Sequence, residues 1–160
     1  MKSIEINNIK DFTTRLFAGT DFDEYLLQEA QFTTACTFTI DGHINPDFVG
    51  EEEMKLPENS EGMAQWKRLR PICYEIIKGK KVPRQFTVVL RCPAARIPAF
   101  LQASSISTRP EDISGLYLNI HFRQGRLYCT TGCSLKTFSL DRRTENAWDE
   151  YMSQALKPFC

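Results

Sequence analysis

Apolar and polar residues alternate most regularly in residues 115–141. The apolar positions of the first half are Leu116, Leu118, Ile120 and Phe122. A period of two is typical of a strand that buries one face. The pattern stops where Gly125 is suited to the positive φ of a tight turn, and it resumes at Leu127. The segment therefore predicts a β-hairpin, followed beyond a bulge or bend at Gly132 by a third strand over residues 135–140.

Three further strands are predicted from similar patterns. Residues 32–40 alternate apolar side chains with threonine-rich positions, which favours one strand on a pleated surface. The Asp-Gly dipeptide at 41–42 is a strong hairpin signal. It predicts that residues 43–49 return as a shorter strand, at a sheet edge because Pro46 cannot donate a ladder hydrogen bond. Residues 86–92 predict another strand.

Apolar residues recur at helical spacing in three segments. Residues 8–17 predict a short helix with an asparagine cap. Residues 61–79 predict a second helical segment, which Pro71 kinks or divides in two because proline lacks a backbone donor. Residues 144–156 predict a C-terminal helix, and residues 93–101 predict a short helix or turn.

These elements favour an α+β fold. Because strands joined by hairpins pair antiparallel, we expect a mostly antiparallel twisted sheet of five or six strands with helices packed on one face. At 160 residues and 42% hydrophobic content, the chain is long enough to bury one core. We therefore expect residues 1–160 to form a single α+β domain.

The sequence favours a cytoplasmic protein without membrane contact. No segment approaches the roughly 18 apolar residues of a membrane helix, and no signal peptide precedes the first helix. The six cysteines are too sparse for a disulfide framework, so we interpret them as reduced thiols. Cys36, Cys92 and Cys129 fall in phase with the apolar face of predicted strands, where cysteine packs as a small hydrophobe.

The formal net charge of zero conceals a division of charge along the chain. Residues 21–61 contain eleven carboxylates and only Lys55, whereas residues 62–109 contain ten lysines or arginines and only Glu75. We call these the acidic and basic segments. Complementary segments of this kind favour association with a protein or with a second copy of the chain.

Seven cations of the basic segment lie close together and form the predicted binding surface, which we call the basic cluster. Its members are Lys67, Arg68, Arg70, Lys78, Lys80, Lys81 and Arg84. Such clusters bind phosphate backbones, and the interleaved Trp66 and Tyr74 have rings on which unpaired bases could stack. Single-stranded nucleic-acid binding is therefore an alternative function. A simpler interpretation places Trp66 in the core with Met63 and Leu69, and leaves the charges on a solvated or partner-facing surface.

Motifs for catalysis, metals and cofactors are weak. A thiol enzyme would need Cys133 as the nucleophile, with His121 or His43 as the base that lowers its pKa. Cys129 and Cys133 lack zinc-ribbon spacing, and the Lys-Gly-Lys-Lys run at 78–81 lacks P-loop spacing. We predict no catalytic residue, no metal and no cofactor, and we retain a small Cys/His enzyme as a further alternative.

Five stretches of the sequence together resemble a known family. They are FTIDGHIN, WKRLRPICYEIIKGKKVP, GLYLNIHF, TTGCSLKTFSLD and AWDEY. Across nearly the whole chain they are similar to a family of short bacterial proteins known only as a domain of unknown function. The resemblance implies a single cytosolic domain, and it carries no activity, cofactor or site residue with it.

The leading functional hypothesis rests on the charge division. We expect a cytosolic, non-catalytic binding or interaction module whose acidic segment (21–61) and basic segment (62–109) recognise a protein partner or a second copy. The basic cluster is the expected binding surface, and single-stranded nucleic acid is the alternative ligand.

Overall fold

The computed structural model describes residues 1–160 and contains one six-stranded sheet. The strands are β1 (Ser3–Ile6), β2 (Leu26–Thr33), β3 (Thr37–Asp41), β4 (Gln85–Arg91), β5 (Ile113–Arg123) and β6 (Arg126–Leu135). Their order is β1-β6-β5-β4-β2-β3, and every neighbouring pair is antiparallel. The predicted α+β fold with a mostly antiparallel sheet is confirmed.

Six α-helices connect or flank these strands. They are α1 (Ile9–Phe17), α2 (Pro46–Val49), α3 (Glu51–Met54), α4 (Trp66–Ile77), α5 (Ile97–Ala103) and α6 (Arg143–Leu156). The predicted asparagine cap of α1 is Asn8, whose side chain accepts a hydrogen bond from the backbone N–H of Asp11. None of the helices has the length and apolar character needed to traverse a bilayer.

The core lies on one side of the sheet. On β5 the even-numbered residues from Leu116 to Phe122 are buried, whereas Tyr117, Asn119 and His121 are only partly buried. The same alternation on β4 buries every second residue from Phe86 to Leu90. The helices therefore cover one face of the sheet, and we call the other side the open face.

Two tryptophans join the helices to the rest of the core, and both are almost fully buried. The Trp66 indole N–H donates to the backbone oxygen of Leu16 at 2.8 Å, and the Trp148 indole N–H donates to that of Tyr117 at 2.9 Å. Each buried indole therefore has a hydrogen-bond partner, which removes the cost of burying its polar end.

The predicted hairpin of β5 and β6 is confirmed. Gln124 and Gly125 both have positive φ, 52° and 74°, as a two-residue turn of this kind requires. The predicted bulge at Gly132 is wrong, because this residue pairs regularly with Tyr117.

The predicted strand over residues 135–140 is also wrong. β6 ends at Leu135, opposite Ile113 at the start of β5. Beyond that point β5 no longer offers backbone groups to pair with, and Phe138 and Leu140 project from the surface with 91% and 86% of their side chains exposed. An alternating pattern without a neighbouring strand does not form a strand.

The single strand predicted over residues 32–40 is a second hairpin. β2 ends at Thr33, β3 begins at Thr37, and Phe32 lies directly opposite Phe38. Because opposite residues point to the same side of a sheet, the apolar alternation continues in phase through the turn and conceals it. Cys36 lies in this turn and is exposed, so its predicted apolar position is wrong, whereas Cys92 and Cys129 are buried as predicted.

The return strand predicted over residues 43–49 is wrong as well. The Asp41 side chain accepts a hydrogen bond from the backbone N–H of His43, and the Asn45 side chain caps α2. Pro46 therefore begins a helix, where its missing N–H costs nothing, instead of occupying an edge strand. The strand that does form one edge, β1, is only four residues long and escaped the sequence pattern.

The helical segment predicted over residues 61–79 is shorter and unbroken. α4 runs through Pro71 as one helix, so the alternative of two short helices is wrong. It begins only at Trp66 because the preceding chain is extended, with Met63 bridged to His43 and Gln65 bridged to Leu26.

Candidate functional site

The basic cluster does not form one surface. Arg70 is held inside the fold, since its Nε lies 2.8 Å from Asp23 Oδ1 and the two side chains are only 18% and 17% exposed. The other six cations are exposed. Arg68 lies beside α2, whereas Arg84 lies at the end of β2, where its backbone N–H donates to Thr33. The cluster thus divides between α4 and the end of the sheet.

The acidic and basic segments partly neutralise each other within the fold. Three ion pairs join them: Asp23 with Arg70, Glu24 with Arg96, and Glu61 with Arg91. The charges of the two segments that form no ion pair include Glu51, Glu52, Glu53 and Glu58 on one side and Lys67, Lys80, Lys81 and Arg84 on the other. These remaining charges, rather than the whole segments, are available to a partner.

Trp66 cannot stack on a base, because its side chain is completely buried. The simpler interpretation, which placed it in the core, is therefore correct. Tyr74 is 44% exposed on the outer side of α4 and remains accessible.

An apolar groove lies between α4 and the segment from Asp41 to Val49. Its apolar lining consists of Ile44, Phe48, Val49, Ala64, Leu69 and Ile72, and its volume is about 350 Å³. Phe48 is 88% exposed and Ile72 is 53% exposed, although both are large hydrophobic residues. Exposed apolar groups concentrated around one concave surface are typical of an interaction site.

The two walls of this groove carry opposite charge. Asp47 lies on the wall that contains Phe48, and the chain continues directly into α3 with its three exposed glutamates. Arg68 lies on the α4 wall and lines the groove. Its Nη1 donates a hydrogen bond to Asn59 Oδ1 at 3.5 Å. The charge division seen in the sequence is thus present on a local scale across this groove.

The open face presents one row of side chains across all six strands. In spatial order the row is Glu5, Tyr128, His121, Thr87, Gln31 and Thr39. The rings of His121 and Tyr128 stack with centroids 4.8 Å apart and planes 20° apart. Burial, and secondarily the charge of Arg123, lowers the pKa of His121, so the ring is neutral near pH 7.

One end of this face is basic. Arg123 pairs across the strands with Gln85, the residue after Arg84, and forms no ion pair. Arg126 lies beside it and binds Glu5 at 2.8 Å. A hollow of about 340 Å³ lies here, lined by Ser3, Glu5, Arg123, Gln124, Arg126 and Tyr128. Arg123 and Tyr128 occupy polar positions of the alternation in the sequence, but only the sheet order brings them together with Glu5 of β1.

The Cys/His pair proposed as an enzyme site is not assembled. Cys133 lies opposite Leu116 and therefore points to the helix side of the sheet, whereas His121 points to the open face. Burial raises the pKa of Cys133 to about 11, and the carboxylates of Glu145 and Asp149 add to this rise. His43 follows β3 and lines the groove, with its Nδ1 2.6 Å from Asp41 Oδ1. No three potential metal ligands of the His, Cys, Asp and Glu types lie together.

The raised pKa makes a testable prediction for Cys133. In a Cys36→Ser, Cys160→Ser double variant, which removes the two exposed thiols, we expect no rapid reaction with an aromatic disulfide reagent at pH 7. Because the thiolate is the reactive form, the labelling rate of Cys133 should rise about tenfold per pH unit up to its pKa. The measurement is absorbance of the released thiolate in the folded protein. Rapid labelling of Cys133 near neutral pH would contradict the assignment and revive the enzyme alternative.

A larger polar cleft of about 590 Å³ separates the loop before β5 from the start of α6. Its two arginines are already bound, Arg109 by Asp112 and Arg143 by Asp141, with two or more hydrogen bonds each. The Arg143 hydrogen bonds lower the pKa of Asp141 to about 2. Because each charge is satisfied by its neighbour, the cleft offers less to a ligand than its volume suggests.

Comparison with known proteins gives one match. The model of the family described as "Family of unknown function (DUF5721)" matches residues 15–158. No curated protein and no solved structure matches the chain.

Proposed function

We propose that this chain, which belongs to the DUF5721 family of unknown function, is a non-catalytic interaction module that pairs with a second copy of itself through the apolar groove. The observation that carries the proposal is Phe48, whose ring is 88% exposed at the rim of a groove that already contains Ile72. Removing these surfaces from water is the driving force for association.

The charge on the walls favours a second copy as the occupant. A two-fold interface places the same patch on both subunits, so the wall with Asp47 faces the partner wall with Arg68. The exposed glutamates of α3 would face Lys67 of the partner in the same way. Opposite charges at the rim steer the approach and fix the orientation, while the apolar centre provides the affinity.

The arrangement of the thiols supports a non-catalytic role. A nucleophilic cysteine needs a lowered pKa, whereas burial raises the pKa of Cys73, Cys129 and Cys133 to about 12, 12 and 11. Structural thiols of this kind are inert.

A cytoplasmic location belongs to the same proposal. All six cysteines are unpaired, and three of them are buried. Free thiols persist in reducing compartments, which is the argument for the cytoplasm.

Sedimentation equilibrium tests the pairing. We expect a monomer–dimer equilibrium that shifts toward monomer as salt is added, because the rim charges are screened. Phe48→Asp should raise the dimer dissociation constant at least about 30-fold, the effect of losing a hot-spot residue. Phe138→Asp is the matched control, since Phe138 is about equally exposed but lies outside the groove. This variant should leave the dimer dissociation constant unchanged. A wild-type protein that stays monomeric at every concentration, or equal effects of the two variants, would contradict the proposal.

A further inference from the structure

We infer that the basic end of the open face is a second binding site, and that its ligand is a short stretch of single-stranded nucleic acid. The site is formed by the stacked His121 and Tyr128, by Arg123 beside them, and by Arg84 with Lys80 and Lys81 in the adjoining loop. It lies on the other side of the sheet from the helices, so it is separate from the groove and does not depend on the proposed pairing.

The aromatic pair provides the platform for bases. Tyr128 is 37% exposed, and the imidazole of His121 stacks against its ring at 4.8 Å. The two residues lie opposite each other on β5 and β6, which lie between β1 and β4 in the sheet. Antiparallel sheets that bind single strands use exposed aromatic rings in such a position, because every base has a face that stacks.

The cations nearby are free to bind phosphate. Arg123, Arg84, Lys80 and Lys81 form no ion pair, unlike Arg70, which Asp23 holds inside the fold. Arg84 directly precedes Gln85, and Gln85 lies opposite Arg123, so the backbone of Arg84 and the loop that carries Lys80 and Lys81 reach the same end of the sheet as Arg123. Three of the cations predicted from the sequence thus lie at this end of the sheet together with Arg123, which was not part of the predicted basic cluster.

The acidic groups of the open face set the extent of the site. Glu5 is already bound to Arg126. Glu29 and Asp41 lie opposite each other on β2 and β3, toward the far edge of the sheet. Two carboxylates repel phosphate. The bound nucleic acid should therefore lie over β4, β5 and β6 and should not extend to Glu29 on β2. The zero net charge of the chain is therefore compatible with a locally basic site.

The side chains between these charged groups favour bases over a bare polyanion. Asn119 donates to Thr130 at 3.2 Å, and Thr87 lies opposite His121. Amide and hydroxyl groups beside a stacking platform form hydrogen bonds to base edges, as in single-strand recognition. A duplex would hide its base faces from Tyr128 and should bind more weakly.

Fluorescence anisotropy with a labelled eight-nucleotide single-stranded oligonucleotide tests the inference with the 160-residue chain. We expect binding that weakens as salt is raised and that exceeds the binding of a duplex of the same length. Tyr128→Ala should weaken binding by about 5- to 150-fold, the effect of losing one stacked base. Arg123→Gln should reduce the slope of log affinity against log salt by about 0.7, the value for one phosphate on a single strand.

Matched controls separate this site from the others. Tyr74→Ala removes an exposed tyrosine of α4, and Lys136→Gln removes one exposed cation beyond the opposite end of β6. Both should leave binding unchanged, as should Phe48→Asp in the groove. Circular dichroism melting of each variant verifies that it is folded.

Three results would overturn the inference. The first is oligonucleotide binding too weak to measure at low salt, and the second is an affinity that does not change with salt. The third is a loss of affinity in Tyr74→Ala equal to that in Tyr128→Ala. The last result would move nucleic-acid binding to α4. A wild-type protein that stays monomeric but binds the oligonucleotide would contradict the pairing and leave this site standing, so the two proposals fail independently.

Discussion

Replacing Trp66 by alanine is expected to destabilise the protein by about 3–5 kcal/mol, the range for removing a buried aromatic ring. The Trp66 ring is completely buried, and its centroid lies 5.9 Å from that of Phe17. The indole also connects α4 to α1 through its hydrogen bond to Leu16. Alanine would leave a cavity between these helices. Since about 1 kcal/mol shifts the melting temperature of a chain this long by 2–4 °C, thermal denaturation should show a clear decrease.

Trp66→Phe is the informative companion to this variant. Phenylalanine retains much of the ring packing but leaves the Leu16 oxygen without its donor, so we expect a smaller loss of about 1–3 kcal/mol. The folded variant should bind the single-stranded oligonucleotide as well as the wild type does, because Trp66 does not reach the surface. A stability equal to that of wild type would show that the buried hydrogen bond contributes nothing, and weakened oligonucleotide binding would contradict the interpretation of Trp66 as a core residue.

Replacing Gly42 by alanine is the second change with a large expected effect. A Cβ at this position would overlap the backbone oxygen of Leu27 and lie 2.6 Å from its carbonyl carbon. Both atoms are backbone, so neither can move aside without displacing β2. We expect a loss of about 3 kcal/mol, the upper end of the range for overpacking.

The close approach at Gly42 has a structural purpose. The backbone oxygen of Gly42 accepts a hydrogen bond from Ala64, and the oxygen of Ala64 accepts one from Leu27. Gly42 therefore lets the end of β3, the start of β2 and the chain entering α4 meet at one point. Because Gly42 and Ala64 also line the groove, Gly42→Ala should weaken the proposed pairing as well as stability.

Gly132→Ala is the matched control for Gly42→Ala. Gly132 also lies in the sheet region, but its added Cβ would meet only the Tyr117 side chain, whose nearest atom is Cβ at 3.5 Å, an ordinary contact. We expect a change within about 0.5 kcal/mol, as for a substitution without a specific mechanism. Urea denaturation of both variants measures the difference. Equal stabilities would show that the chain near Gly42 relaxes more freely than its contacts indicate.

The two proposed sites use different sides of the sheet and different forces. The groove presents Phe48 and Ile72, and its association should depend mainly on apolar burial. The open face presents Arg123 and Tyr128, and its binding should depend mainly on phosphate charge and stacking. Because the groove and the open face lie on different sides of the sheet, the two kinds of binding should not compete with each other.

Local periodicity predicted the elements whose pattern and turn residues lie within one continuous segment. The hairpin around Gly125 was identifiable because a turn with two positive φ values separates two long alternating runs. The final helix was identifiable because Trp148, Met152 and Leu156 recur along one side of it. In each case the pattern and the turn residue indicate the same structure.

Periodicity gave wrong predictions in two situations. In one the alternation continues in phase through a turn, and in the other the alternating segment has no neighbouring strand to pair with. The alternation from Phe32 to Ile40 is the same in a straight strand and in a three-residue hairpin, so the turn could not be seen. The residues around Phe138 alternate without any strand to pair with. Pairing is a property of two segments, and the pattern of one segment does not contain it.

By itself, the sequence determined the fold class, the identity of the buried face of each long strand, and the presence of opposite charges in successive segments. Only the tertiary structure decided which charges remain free. It placed Arg70 against Asp23 in a mostly buried ion pair, and it brought Arg123 opposite Gln85, the residue after Arg84, through the order of the strands. The reason is physical: burial follows from the side chain and its period, whereas electrostatic partnership depends on distances between residues far apart in the chain.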